Sequence, residues 1–190
     1  MLITLLDLER EPVRFDLKFS PGTIDYGEEA AQTADLAVKG QAELIKERRG
    51  PKEVVPDIRV RAHWSGAFEV PCARCLDPVQ HDLSGAFDLL FRPLGIDAGP
   101  SDRALGAPET EIGYYQESGL SLEDVLREQV LLSLPVRTLC SADCKGLCPR
   151  CGRNLNEGAC NCEAPPANDR WSALSDLRSR LSPESKETNH

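Results

Sequence analysis

The sequence predicts an α+β fold: a curved antiparallel sheet or partly open β-barrel, then a buried helix, a C-terminal zinc-ribbon-like module and a short C-terminal helix. Three observations carry this expectation. Four stretches of the front half alternate apolar and polar residues with period two. One run with helical capping signals follows a segment rich in glycine and proline. Finally, 8 cysteines fall into groups whose spacing suits metal ions better than disulfides.

The strands come first. In 13–19, Val13, Phe15, Leu17 and Phe19 share one side, with Arg14, Asp16 and Lys18 opposite. In 34–44 the apolar or small side is Ala34, Leu36, Val38, Gly40, Ala42 and Leu44. In 58–70 it is Ile58, Val60, Ala62, Trp64, Gly66, Phe68 and Val70, and in 79–91 it is Val79, His81, Leu83, Gly85, Phe87, Leu89 and Phe91. Successive side chains of a strand point to opposite faces, so this pattern gives a sheet with one wet face. Gly40, Gly66 and Gly85 stand on the inward faces, where curvature or a bulge would need them.

Residues 93–113 hold Pro93, Gly95, Gly99, Pro100, Gly106, Pro108 and Gly113 with little periodicity and read as a loop. A helix over 121–134 follows. Ser121 and Asp124 form a capping box, Leu120 and Val125 a hydrophobic staple, and Pro135 ends the run. Its apolar end, Val130–Leu134, predicts a buried C-terminal half. Beyond the cysteines, Trp171, Leu174, Leu177 and Leu181 recur at helical spacing, with Asn168 or Asp169 as cap. The expected organisation is a β-rich domain over 1–118, a helix with a cysteine-rich module and C-terminal helix over 119–181, and a disordered tail over 182–190.

Charge narrows the function classes. The chain of 190 residues carries −9. Residues 1–126 hold 13 basic and 23 acidic side chains, while 127–180 hold 8 and 6. Eight thiolates and two zinc ions would take the −9 of the bare chain to about −13. Such a body repels nucleic acid and anionic membrane at long range. No apolar run approaches the length of a membrane span. The start, "MLITLLDLEREPVRF", lacks a basic n-region and is interrupted by Asp7, Glu9 and Glu11, so no signal peptide is expected. The expected compartment is the reducing cytoplasm, where dense cysteines mean metal more often than disulfides.

Cys148-Pro149-Arg150-Cys151-Gly152 has the form of a zinc knuckle. Two thiolates separated by two residues reach one metal from a tight turn, and a following glycine takes positive φ while backbone N–H groups face sulfur. Cys160 and Cys162 lie on one side of an extended segment and complete a tetrahedron. Zinc at Cys148, Cys151, Cys160 and Cys162 is the expected first site, against a disulfide framework or free structural thiols. Cys140 and Cys144 remain. Upstream, Cys72 and Cys75 sit where strands 58–70 and 79–91 would meet in a hairpin. The helix could deliver Cys140 and Cys144 to that tip and close a second four-cysteine site, so one or two zinc ions are expected. The rival is that Cys72 continues the inward parity of Val70 as plain core and the other thiols are idle. A redox-active pair at Cys72 and Cys75 would need a strand running into a helix, and another alternating strand follows instead.

Nothing else in the chain marks an enzyme. His63 stands on a polar strand face; His81, on an apolar face, reads as a hydrogen-bonded core residue rather than a ligand. There is no Ser/His/Asp arrangement, no phosphate loop after a strand, and no carboxylate cluster at metal-ligand spacing. Two basic features stand against the acidic whole. Lys46, Arg48, Arg49 and Lys52 form "KERRGPK", and Lys145, Arg150 and Arg153 decorate the cysteine loops. They are either solvated loops or a local phosphate-facing patch suited to structured RNA.

"PCARCL" after a strand, a helix ending "LLSLPV", then "LCSADCKGLCPRCGRNLNEGACNCE" and "NDRWSALSDL" together resemble the bacterial YceD family over residues 10–181. "NDRW" departs from an Asp-Pro-Arg form, so no role is carried to Asp169 or Arg170. The resemblance implies a non-enzymatic ribosome-biogenesis factor for synthesis, processing or stability of large-subunit (23S) ribosomal RNA. Its partner would be that RNA or a pre-ribosomal particle, and no membrane. Some members of that family lack the later cysteines, which implies a structural metal there. Two rivals stand beside it. One is an adaptor whose acidic front binds a basic ribosomal protein or a processing nuclease without touching RNA; the other is a thiol redox protein or nuclease.

Overall fold

The computed structural model describes residues 1–48, 54–96, 112–116 and 118–162. Arg49, Lys52, the expected C-terminal helix with Trp171 and the tail 182–190 lie outside them. In chain order the elements are β1 (Leu2–Ile3), α1 (Leu5–Leu8), β2 (Val13–Phe19), β3 (Ala31–Gln32), β4 (Leu36–Arg48), β5 (Val54–Pro71), β6 (Pro78–Pro93), β7 (Ile112–Tyr115), β8 (Leu120–Ser121) and α2 (Leu122–Ser133). The chain divides into two compact units, one ending at Cys144 and one beginning at Lys145.

The main sheet runs β2-β4-β5-β6-β7, with β3 paired to β5 off that path, and it does not close. The expected antiparallel pairing holds from β2 to β6. It fails at β7, which runs parallel to β6. The connection from Pro93 to Ile112 is long enough for a parallel return, and Ile112 and Gly113 leave the expected loop to join the ladder. Alternation seats Phe15, Val38, Ala42, Val60, Trp64, Phe68, Phe87 and Phe91 in one core. Two glycines make that face possible. A Cβ on Gly40 would lie 2.3 Å from the Arg61 carbonyl oxygen, and one on Gly85 would lie 2.8 Å from Trp64 Nε1.

The wet face carries cross-strand ion pairs: Lys39 with Asp16 at 2.9 Å, Arg61 with Glu43 at 2.8 Å, and Arg59 with Asp88 through two bonds of 2.7 Å. At one end this face is buried. Arg92 donates through Nε to Asp57 Oδ1 at 3.1 Å and through Nη2 to Asp57 Oδ2 at 2.9 Å, and it also contacts Glu47.

The helix opens as expected, with Ser121 Oγ accepting from the Asp124 N–H at 3.3 Å. β8 pairs with β1, and the Leu122 N–H donates to the Met1 carbonyl at 3.0 Å. The expectation of a buried C-terminal half needs correcting. Leu122, Val125, Leu126 and Val130 form the buried stripe, whereas Leu132 is 72% exposed because it points away from that stripe.

Candidate metal centres

The β5–β6 ladder runs to the pair Pro71–Pro78, and the tip between them is a tight knuckle. The Cys72 N–H donates to the Asp77 carbonyl at 2.9 Å, and the Leu76 N–H to the Cys72 carbonyl at 3.0 Å. A segment following α2 is pinned against this tip. The Ala73 N–H donates to the Thr138 carbonyl at 2.8 Å, and Arg74 Nη1 to the Cys144 carbonyl at 2.7 Å. His81 Nε2 sits 3.3 Å from Thr138 Oγ1, so it is hydrogen-bonded as expected, but it is half-buried and stands outside the core cluster. Sequence reasoning missed Arg74 as the brace. Its position inside the C-x-x-C turn was the available signal.

This docking gathers Cys72, Cys75, Cys140 and Cys144, whose sulfurs all lie within 4.8 Å of one another. Cys72 and Cys144 are separated by 3.8 Å, and Cys75 and Cys140 by 3.5 Å. A disulfide needs about 2.05 Å. A zinc tetrahedron with bonds of about 2.3 Å has edges of about 3.8 Å, so the quartet fits such an ion. Cys72, Cys75 and Cys144 are buried. The backbone N–H groups of Arg74 and Cys75 point at the Cys72 sulfur and pull its pKa down to about 6 against the opposing effect of burial. Burial pushes the Cys75 thiol up.

The second quartet, Cys148, Cys151, Cys160 and Cys162, is likewise within 4.8 Å throughout. Its knuckle repeats the first bond for bond. The Cys148 N–H donates to the Arg153 carbonyl at 2.8 Å, and the Gly152 N–H to the Cys148 carbonyl at 2.9 Å. The Cys151 and Arg150 N–H groups hold the Cys148 thiol down at about 6, while hydrogen bonding with Cys151 and then burial push Cys162 up to about 12. Gly152 adopts φ 71°, and the equivalent residue of the first knuckle, Leu76, adopts φ 65°. Around this quartet the Leu155 N–H donates to the Gly146 carbonyl at 2.9 Å, and the Lys145 N–H to Asn156 Oδ1 at 2.8 Å. Lys145, Arg150 and Arg153 are exposed in this unit, and Lys46 and Arg48 are exposed at the end of β4.

A family model described as "Large ribosomal RNA subunit accumulation protein YceD" matches residues 60–178, a stretch that holds both quartets. The chain belongs to the YceD family. An uncharacterised protein of Mycobacterium tuberculosis is 36% identical over 81 residues, 43% of this chain and 37% of that protein. An uncharacterised protein of Mycobacterium leprae is 28% identical over 143 residues, 73% of this chain and 61% of that protein. The chloroplastic YCED homolog 1 of Arabidopsis thaliana, named a large ribosomal RNA subunit accumulation protein, is 32% identical over 56 residues, 30% of this chain and 17% of that protein. The chain thus spans little more than a third of the first of these relatives and under two thirds of the second. No solved structure matches the chain. Among the described residues no helix is long and apolar enough to cross a membrane.

Proposed function

We propose that this chain is a non-enzymatic, cytoplasmic ribosome-biogenesis factor that supports synthesis, processing or stability of large-subunit (23S) ribosomal RNA. The observation that carries this reading is the family match across residues 60–178. Two structural zinc ions complete it, one held by Cys72, Cys75, Cys140 and Cys144, the other by Cys148, Cys151, Cys160 and Cys162. Zinc supplies cross-linking here rather than chemistry, since four protein thiolates leave no open coordination position. Lys145, Arg150 and Arg153 are the proposed contacts to RNA or a pre-ribosomal particle, with Lys46, Arg48, Arg49 and Lys52 as a second basic group. Elemental analysis of protein purified without chelator should give two zincs per chain; one would remove a site and none would remove both. Sedimentation of cell extract should place the protein with large-subunit precursors, and its absence from every such fraction would count against the reading.

A second reading has its own support. Residues 1–126 hold 13 basic against 23 acidic side chains. That balance favours an adaptor for a basic ribosomal protein over direct RNA contact. Crosslinking in cells separates the two: RNA crosslinks at Lys145–Arg153 support the first, and crosslinks to protein alone support the second.

A further inference from the structure

We propose that the tip of the β5–β6 hairpin, built on Leu76 and the pocket beside it, docks a basic protein segment that presents an aliphatic side chain. The first observation is conformational. Leu76 adopts φ 65°, a left-handed conformation that glycine takes freely and leucine takes at a cost. The other knuckle makes the same bond between residues 1 and 5 of its turn with Gly152 in that place. The turn therefore does not require leucine. The core does not require it either, because Leu76 is 65% exposed. Strain kept without a structural return is a reason to look for a contact outside the chain.

The second observation is what surrounds it. A pocket of about 220 Å³ is lined by Leu76, Pro71, Pro78 and Ala31, with Glu28 and Glu69 its only ionisable groups among the described residues. Gln80 Nε2 donates to Glu69 at 2.7 Å and holds that carboxylate in place. An apolar floor with a doubly anionic rim repels RNA phosphates and attracts lysine or arginine. It accepts a leucine or isoleucine side chain while the rim meets flanking cations. The contact needs no RNA, so it stands or falls apart from the RNA-contact reading above.

The test uses the metal-loaded full chain and a labelled 15-residue peptide of alternating lysine and leucine, with binding followed by fluorescence anisotropy. Leu76→Gly should weaken binding at least tenfold while leaving metal content unchanged and the thermal midpoint equal or higher, because strain is relieved. Leu76→Asn, which tolerates the left-handed backbone but lacks an apolar tip, should behave likewise. Glu28→Gln with Glu69→Gln should weaken binding and flatten its salt dependence. A Lys/Ser peptide and a Glu/Leu peptide should bind at least tenfold less. The proposal is overturned by an absence of binding to the unsubstituted chain, by equal binding of Leu76→Gly, by equal binding of the Lys/Ser peptide, or by a lower midpoint in Leu76→Gly, which would make Leu76 a structural residue.

Discussion

Replacing Asp57 with alanine should be the most damaging single change at a site remote from the cysteines. The Asp57 and Arg92 side chains are 1% and 3% exposed, and the carboxylate accepts two bonds of 3.1 and 2.9 Å from the guanidinium. Removing one member of a buried pair costs about 3–5 kcal/mol, because the remaining charge keeps its desolvation penalty. Glu47 also contacts Arg92 but is 46% exposed, so it offsets part of the loss and sets the expectation near about 3 kcal/mol. At roughly 2–4 °C per kcal/mol for a chain of this size, the melting midpoint should fall by about 6–12 °C. Urea titration followed by far-ultraviolet circular dichroism measures the free energy directly, with the midpoint lowered and the slope kept. The deficit should persist at high salt, since buried pairs are screened little. Asp57→Leu combined with Arg92→Met should recover most of the loss, because no charge is then stranded. A single-variant loss under about 1 kcal/mol, or a double variant no better than the single, would refute the reasoning.

Three further outcomes follow from the same structure. Gly85→Val puts a side chain against the buried Trp64 ring, where a Cβ would already lie 2.8–3.1 Å from three indole atoms, so a loss of about 1–3 kcal/mol and a changed Trp64 emission are expected. Burial pushes the Tyr26 phenol from 10.0 up to about 12, so its contribution to stability is complete below pH 10 and is lost as pH climbs toward 12. Its hydroxyl has no partner among the described residues, and Tyr26→Phe should match or exceed the parent in stability while flattening the alkaline decline seen by circular dichroism. Serine at both Cys160 and Cys162 should remove one metal ion and leave sheet unfolding unchanged, whereas serine at both Cys72 and Cys75 should remove the other and lower that transition; metal analysis beside thermal melts reads both.

The strands were legible because a one-sided sheet writes itself in period two. The stretches 13–19, 58–70 and 79–91 fall on β2, β5 and β6, and 34–44 overlaps β4 but begins two residues early. What escaped is what has no period. β1, β3 and β8 have two residues each, too few to alternate. β7 gains its place from a partner on another strand, not from its own pattern. The buried end of the wet face was visible only in hindsight: Val55, Asp57 and Ile58 are all buried although Ile58 has the opposite parity to the other two, which signals burial on both faces. The quartets paired off by count and spacing are the ones whose sulfurs lie together: spacing within each close pair is a local geometric demand, and the count of eight joined the two distant pairs of the first quartet. Arg74 and Leu76 escaped because bracing and backbone strain leave no mark in composition.

The two quartets use one turn for different physical ends. In the first unit, 64 residues separate Cys75 from Cys140, and a clip across such a span removes the most loop-closure entropy. Backbone bonds at Thr138 and the Arg74 brace already hold that span, and the sulfurs stand 3.5 and 3.8 Å apart at tetrahedral spacing. The proposed metal there would reinforce an arrangement that the sheet and its core largely build. The described part of the second unit has no such support. Cys148 is its one buried hydrophobic side chain, and the apolar core cluster with the residues packed against it reaches no further than Leu134. The proposed zinc on these four thiolates would supply about 10–16 kcal/mol, more than any apolar burial among the described residues of this unit. With the proposed zinc bound, the same knuckle would be a fastening in the first unit and the main source of order in the described part of the second, which carries the exposed cations Lys145, Arg150 and Arg153.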